Sequence, residues 1–192
     1  MQVDYAVELG GDDATLEIPW ADPGGGLRYY NLRTDPTALD LIPEAAQSTE
    51  LRDFLRSVNS PASVVESAKC DLWASDEIQP EEQIFGVPWK FGSYVDLVFS
   101  APDSRFDFAG HEDFLKELTA LLNKAPDIAA SAEFLLRRCY YHTDHEARDG
   151  FYVTAYVFGY GENEMKARQQ WGVALELVGG AIIQVSKQHS AR

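Results

Sequence analysis

The sequence predicts an α+β fold with a largely antiparallel sheet and helices grouped on one side. Several segments alternate apolar and polar residues with the period of two that is typical of half-buried strands. Others repeat apolar residues at helical spacing. From residue 89 onward the predicted order is strand, helix, strand, strand, helix, and a final strand would make it the βαββαβ order of a ferredoxin-like domain.

The N-terminal segment predicts three strands. Residues 3–9 alternate, and the alternation resumes over residues 16–20 after the turn residues at 10–13. This pattern is typical of a half-buried antiparallel hairpin. A proline and three glycines at 23–26 then interrupt the chain, and residues 27–33 predict a third strand.

Two helical segments follow. Asp35 and Pro36 form an N-cap and first-position pair for a helical turn that Pro43 is expected to end. Ser48 is the predicted N-cap of a longer helix. The apolar face of this helix comprises Leu51, Phe54, Leu55 and Val58.

The second half of the chain has the more regular pattern. Residues 64–74 and 89–100 alternate and are expected to pair with each other, and strands 133–142 and 151–160 follow later. Between strand 89–100 and strand 133–142, the sequence predicts a helix whose apolar face comprises Phe114, Leu115, Leu118, Leu121 and Leu122.

Two alternatives remain open for the C-terminus. Gly179 and Gly180 can end a helix that begins near Asn163, leaving residues 181–186 as a last strand. Alternatively, the helical spacing of apolar residues continues straight through both glycines, which predicts one long helix up to about residue 187.

We expect residues 1–192 to form a single compact domain with two units of structure. Residues 1–76 are the acidic, β-rich half, and residues 89–187 are the βαββα(β) half. The two could lie side by side as small α+β units, or one antiparallel sheet could run through both. The predicted pairing of strand 64–74 with strand 89–100 favours the continuous sheet.

The charge of the chain restricts its partners. The sequence has 31 acidic and 16 basic residues, a net charge of −15. Residues 1–100 hold 18 acidic and 6 basic residues, whereas residues 101–192 hold 13 and 10. A negative field of this size repels phosphates, which argues against a nucleic acid and against an anionic membrane surface as partner.

Location and redox state follow from the same composition. The N-terminus lacks the basic and apolar regions of a secretion signal, and the longest apolar stretch, residues 173–185, is too short to cross a bilayer. We therefore expect a cytoplasmic protein. Cys70 and Cys139 both lie in predicted strands, where a buried free thiol is the expected state.

Metal and nucleophile chemistry has weak support. A metal-site hypothesis concerns His142, Asp144, His145 and Glu146 in the connection between two strands. However, Asp149 stands where a zincin motif needs its second histidine, so a polar loop is the simpler interpretation.

A nucleophilic pair of Cys139 and His142 is disfavoured as well. The two residues are three positions apart on a strand, so their side chains point to opposite faces. We predict no cofactor.

An aromatic strand is the other candidate site. Tyr152, Tyr156 and Tyr160 share one face of strand 151–160, whose opposite face is also apolar. We expect the N-terminal half of the chain to cover this face, although a second subunit in a homodimer or a bound ligand could cover it instead. Arg137 or Arg138 on the neighbouring strand could anchor an anion there.

The leading functional hypothesis is a non-catalytic acidic module that engages a basic protein, as inhibitors and immunity proteins do. Its predicted contact residues are Asp71, Asp76, Glu77, Glu81 and Glu82, which lie at and after strand 64–74. The alternative is a protein that binds a small anionic molecule, or an enzyme, using the aromatic face. The sequence favours the binding module over the enzyme.

Overall fold

The computed structural model describes residues 1–189 with gaps at 12, 14, 22–23, 25, 27 and 143–145. The strands in this part of the chain are β1 (Gln2–Glu8), β2 (Leu16–Ile18), β3 (Val65–Ser75), β4 (Trp89–Phe99), β5 (Ala130–His142) and β6 (Ala147–Gly161). The α-helices are α1 (Pro43–Gln47), α2 (Thr49–Val58), α3 (Phe108–Leu122) and α4 (Glu164–His189). Short 3-10 helices span Pro36–Leu41, Pro80–Phe85 and Asp103–Phe106.

The predicted α+β fold is confirmed. The strands form one sheet in the order β1-β5-β6-β4-β3, in which the pairs β5–β6, β6–β4 and β4–β3 are antiparallel. The predicted pairing of the strand near 64–74 with the strand near 89–100 is confirmed as β3 with β4. Strands from both predicted halves of the chain therefore belong to one sheet.

The predicted N-terminal hairpin is wrong. β1 and β2 do not pair with each other; both run parallel to β5 along the same edge, β1 beside residues 131–137 and β2 beside residues 139–141. β5 is long enough to hold both short strands end to end. Alternation of apolar and polar residues identifies a half-buried strand but does not identify its partner. The pattern therefore predicted both strands correctly and their pairing with each other wrongly.

The predicted third strand at residues 27–33 is also wrong for the described residues. Arg28 makes only an isolated bridge to Ala21, and a turn follows in which the Asn31 side chain accepts hydrogen bonds from the backbone amides of Arg33 and Thr34. The helical turn that starts at Pro36 ends at Leu41, directly before Ile42 and Pro43, as expected. Pro43 then occupies the first position of α1, where its missing amide proton leaves no helical hydrogen bond unmade.

The predicted caps are confirmed. The Asp35 carboxylate accepts a hydrogen bond from the Thr37 amide, and the Ser48 hydroxyl accepts one from the Leu51 amide at the start of α2. The apolar face of α2 is fully buried as expected. None of the helices in the described part of the chain combines the length and apolarity needed to span a bilayer.

The C-terminal segment is one long helix, so the alternative with a final strand at 181–186 is wrong. α4 continues through Gly179 and Gly180, and Gly179 faces the Phe54 ring of α2, where a side chain would be crowded. β3 occupies the sheet position next to β4 that the final strand of a βαββαβ domain would take.

The core lies between one face of the sheet and helices α2, α3 and α4. The buried side chains of β4, β5 and β6 on this face are Phe91, Val95, Leu97, Phe134, Leu136, Val153, Ala155 and Val157. Trp171 of α4 is fully buried among them and donates a hydrogen bond from its indole nitrogen to the Ser93 hydroxyl, at 2.9 Å. α4 approaches β6 so closely that a side chain at Gly159 would overlap the backbone of Trp171.

We predict opposite effects for two glycine-to-alanine substitutions in this region. Gly159→Ala should lower the free energy of unfolding by about 2 kcal/mol or more, because the new methyl group would collide with the α4 backbone. Gly180→Ala, on the exposed side of α4 with no neighbour within 4 Å, should raise it by about 0.5 to 1 kcal/mol. Urea denaturation measures both changes. Equal effects of the two substitutions would contradict the close packing at Gly159.

Candidate functional site

The side of the sheet opposite the helices is the candidate site, and we call it the open face. Strand register places the following side chains on it: Asp4, Glu8, Lys69, Asp71, Trp73, Lys90, Tyr94, Asp96, Glu133, Leu135, Arg137, Tyr152, Thr154, Tyr156, Phe158 and Tyr160. The helices bury the other face, so these side chains meet either connecting segments or solvent.

Half-buried aromatic rings occupy the centre of the open face. The Trp73 ring centroid lies 6.4 Å from that of Tyr94 and 5.9 Å from that of Phe158, and the Tyr94 and Tyr156 centroids are 5.9 Å apart. Gly92 lies beneath them, and a side chain there would come within 2.6 Å of the Phe158 ring. The glycine thus lets the aromatic rings lie down on the sheet.

One end of the open face is covered by residues of the acidic half, 1–76, and the other end is covered by the connection between β3 and β4. At one end, Ile18 and Tyr29 pack with Tyr152 in a small apolar cluster. At the other end, the Phe85 ring stacks on Tyr160 with a centroid distance of 4.0 Å. Tyr152 and Tyr160 are therefore buried, whereas Tyr156 between them is partly exposed.

The 3-10 helix Pro80–Phe85 is held against the sheet by Glu82. Its carboxylate accepts hydrogen bonds from the Lys90 ammonium at 2.8 Å and from the Tyr160 hydroxyl at 3.0 Å. Burial alone would raise the pKa of Glu82, but these hydrogen bonds, together with one from the Gln79 amide, outweigh it and lower the pKa.

A polar network crosses the strands beneath the aromatic rings. The Arg137 guanidinium forms an ion pair with Glu8, at 2.7 Å, and donates a hydrogen bond to the Thr154 hydroxyl. That hydroxyl in turn donates to the Asp96 carboxylate, at 2.6 Å. Asp96 is only 6% exposed, and burial raises its pKa to about 6, although the Thr154 hydrogen bond and the nearby Lys69 and Arg137 charges lower it in part.

A groove of about 640 Å³ lies between the end of β1, the end of β5 and the 3-10 helix Pro80–Phe85. Phe85, Phe158 and Tyr160 form its aromatic wall. Asp4, Glu81 and Glu133 line it as well, and these three carboxylates form no ion pair within the described part of the chain. Partial burial and the neighbouring carboxylates Glu8 and Asp4 raise the pKa of Glu133, which shows that negative charge is crowded here.

The predicted partner-binding residues lie along this side of the molecule. Asp71 is on the open face, Glu81 and Glu82 belong to the groove, and Asp76 and Glu77 are exposed in the connection that leads to it. Of the predicted anion anchors, Arg137 lies on the open face and pairs with Glu8. Arg138 lies on the opposite side of β5 and pairs with Asp149 at 3.3 Å.

The predicted metal-site residues are only partly described. The His142 ring contacts the Glu17 carboxylate and Glu146 is exposed, while Asp144 and His145 lie outside the described residues. In the portion that is described, no group of three potential metal ligands comes together.

Both thiols are held in their protonated form. Burial, followed by the negative charges of Glu44 and Asp71, raises the pKa of Cys70 to about 12. Burial likewise raises the pKa of Cys139 to about 12. Neither cysteine is therefore activated as a nucleophile at neutral pH.

Sequence reasoning missed several members of the site. Asp4, Glu8 and Glu133 come together only because β1 runs parallel to β5, a pairing that the predicted hairpin excluded. Trp73 and Tyr94 could have been found, because once β3, β4 and β6 are paired their alternation places both rings beside Phe158.

Comparison of the chain with protein-family models, with curated proteins and with solved structures gives no match. We therefore infer the function of this protein from the geometry of the site alone.

We predict that Asp96 makes stability fall as pH rises. Its pKa is higher in the folded protein than in the unfolded chain, so the free energy of unfolding falls as pH rises from about 4 to about 6 and then stays level. Relative to Asp96→Asn, which keeps an oxygen for the Thr154 hydrogen bond, the wild type should lose about 2 kcal/mol between pH 4 and pH 7.

Urea denaturation of both proteins across this pH range measures the difference. Asp103→Asn, which changes an exposed carboxylate in a 3-10 helix, serves as the control and should show no such trend. A difference between wild type and Asp96→Asn that is constant with pH would contradict the buried-carboxylate interpretation.

Proposed function

We propose that this protein is a non-catalytic binding module whose open face takes up a basic segment of a protein partner. The observation that carries the proposal is the groove in which Asp4, Glu81 and Glu133 surround the aromatic wall of Phe85, Phe158 and Tyr160. A cationic side chain in this groove would meet carboxylates and aromatic rings together, a combination that suits ammonium and guanidinium groups.

The charges of the open face support a cationic ligand. Its basic side chains are already engaged: Arg137 pairs with Glu8, Lys90 pairs with Glu82, and Lys69 lies over the Trp20 ring. The carboxylates of Asp4, Glu81 and Glu133 have no such partners in the described residues. Bringing a positive charge into the groove would relieve their mutual repulsion, which contributes to the raised pKa of Glu133.

The alternative, a small anionic ligand, has less support. Arg137 would have to leave Glu8 and the Thr154 hydroxyl to bind an anion, and Glu133 stands nearby with the wrong charge. Arg138 faces the other side of β5. An enzyme using this face would need an accessible reactive group, whereas Asp96, whose pKa burial raises to about 6, is buried and accepts a hydrogen bond from Thr154.

We predict that a short oligo-arginine peptide binds the protein at low ionic strength and that Glu133→Gln weakens this binding about fivefold, the effect of removing one partly exposed charge pair. Addition of salt should weaken binding by the wild type, mainly through a slower association rate. Isothermal titration calorimetry and stopped-flow fluorescence measure the two effects.

Glu176→Gln is the matched control, because Glu176 is exposed on α4, away from the open face. It makes the same change in net charge and should leave peptide binding almost unchanged. The proposal fails if the peptide does not bind at low salt, or if Glu176→Gln and Glu133→Gln weaken binding equally.

A further inference from the structure

β3 is the last strand of the sheet, and its outer edge pairs with no strand in the described residues. The first part of this edge is capped by side chains. The Val65 carbonyl accepts a hydrogen bond from Arg33, and the Ser67 amide donates one to Asn59. The Ala68 carbonyl accepts one from the Trp20 indole at 2.6 Å.

The second part of the edge is open. Among the described residues, the backbone from Lys69 to Ser75 is capped at one point, where the Leu72 amide donates a hydrogen bond to the carboxylate of the neighbouring Asp71. An exposed strand edge presents backbone donors and acceptors to any extended segment that reaches it. The outer edge of this seven-residue stretch of β3 is therefore available to pair with another strand.

A cavity of about 570 Å³ runs beside this edge. Ser67 to Asp71 of β3 contribute to one wall, Trp20 stands on the open-face side, and Ile42 and Glu44 stand on the helix side. Leu41, at the rim, is 59% exposed and adds apolar surface to the opening of the cavity. The channel thus borders the start of the open edge, from Lys69 to Asp71, and its wall on the helix side includes the apolar Leu41 and Ile42.

The two faces of β3 differ in chemistry. Asp71 and Trp73 point to the open face, whereas Cys70 and Leu72 pack against the main core beside the helices. Asp71 and Glu44 form no ion pair in the described residues, and Asp76 and Glu77 are exposed just beyond the strand. A strand added here would therefore meet Asp71 and Trp73, with Lys69 beside them, on the open-face side. On the helix side it would meet the apolar Leu41 and Ile42 with the Glu44 carboxylate next to them.

We propose that an extended segment of a basic partner adds to the free edge of β3 as a seventh strand. Its side chains alternate: basic residues face Asp71 and Trp73, and apolar residues face the channel wall formed by Leu41 and Ile42. This inference rests on the proposed function for the positive charge of the partner and adds the binding mode. Backbone hydrogen bonds supply affinity, and the alternation supplies selectivity.

A second copy of this chain fits the edge less well. Each copy carries a net charge of −15, and the carboxylates of Asp76 and Glu77 follow the free edge directly. Pairing two such edges would bring like charges together at the ends of both strands. The oligomeric state of the protein alone nevertheless forms part of the test.

The experiment compares three peptides of the same composition. The first alternates lysine and valine over about six residues, the usual length of a strand. The second places all lysines before all valines, and the third keeps the alternation but carries methyl groups on its peptide nitrogens. Fluorescence anisotropy gives the affinities, and hydrogen exchange followed by NMR reports the protection of the β3 amides.

We expect the alternating peptide to bind at least about tenfold more tightly than either of the other two, since each loses backbone pairing or alternation while keeping its charge. In the stretch from Cys70 to Ser75, the amides that point away from β4 should become protected only with the alternating peptide, whereas the alternate amides already bond β4. Asp71→Asn should weaken its binding severalfold, and Asp103→Asn, an exposed carboxylate elsewhere, should not.

The outcomes separate the two proposals. Equal, salt-dependent binding of all three peptides would overturn strand addition at β3 while leaving the proposed basic-partner function in place. Absence of binding by any of them, and by oligo-arginine, would overturn both. A stable dimer of the protein alone, with the β3 amides already protected, would overturn strand addition in favour of pairing between copies.

Discussion

Trp171 of α4 packs against β6 where Gly159 has no side chain, and this contact determines which face of the sheet remains for binding. The helix backbone lies close to β6 at Gly159, and α3 packs against the start of the strand at Phe151, so the helices occupy one face of β6. The alternate residues of β6, from Tyr152 to Tyr160, must then point to the other side. β6 is largely apolar on both faces. The helices bury one of these faces in the core, and the other belongs to the open face, where something else has to cover it.

The protein covers that second face incompletely. Ile18 and Tyr29 close one end and Phe85 closes the other, so the rings between them remain half-buried. The polar groups beneath the rings satisfy one another along the path from Glu8 through Arg137 and Thr154 to Asp96. The carboxylates of Asp4, Glu81 and Glu133 at the rim form no ion pair among the described residues, which supports the proposal that the site takes up a positive charge.

How much the sequence predicted depends on the range of the interactions. The caps at Asp35 and Ser48 and the apolar face of α2 are local features, and they were predicted correctly. The position of β1 depends on contact with β5, about 130 residues away along the chain, and a local turn signal at Gly10 and Gly11 pointed to the wrong partner.

The same distinction applies to the site. The aromatic residues of β6 and the acidic residues of the segment before β4 were visible as patterns within single segments. Their proximity was not, because the 3-10 helix Pro80–Phe85 folds back onto Tyr160 through a tertiary ion pair between Glu82 and Lys90. Sequence reasoning therefore placed negative charge and aromatic surface apart, whereas the fold joins them at one groove.

Mapping of a bound basic peptide by NMR tests the central claim most directly. Addition of oligo-arginine to labelled protein should shift the resonances of Glu133, Tyr156 and Phe158 on the open face, and it should leave the exposed surfaces of α3 and α4 unchanged. Shifts centred on α3 or α4, with the open face unaffected, would contradict the account.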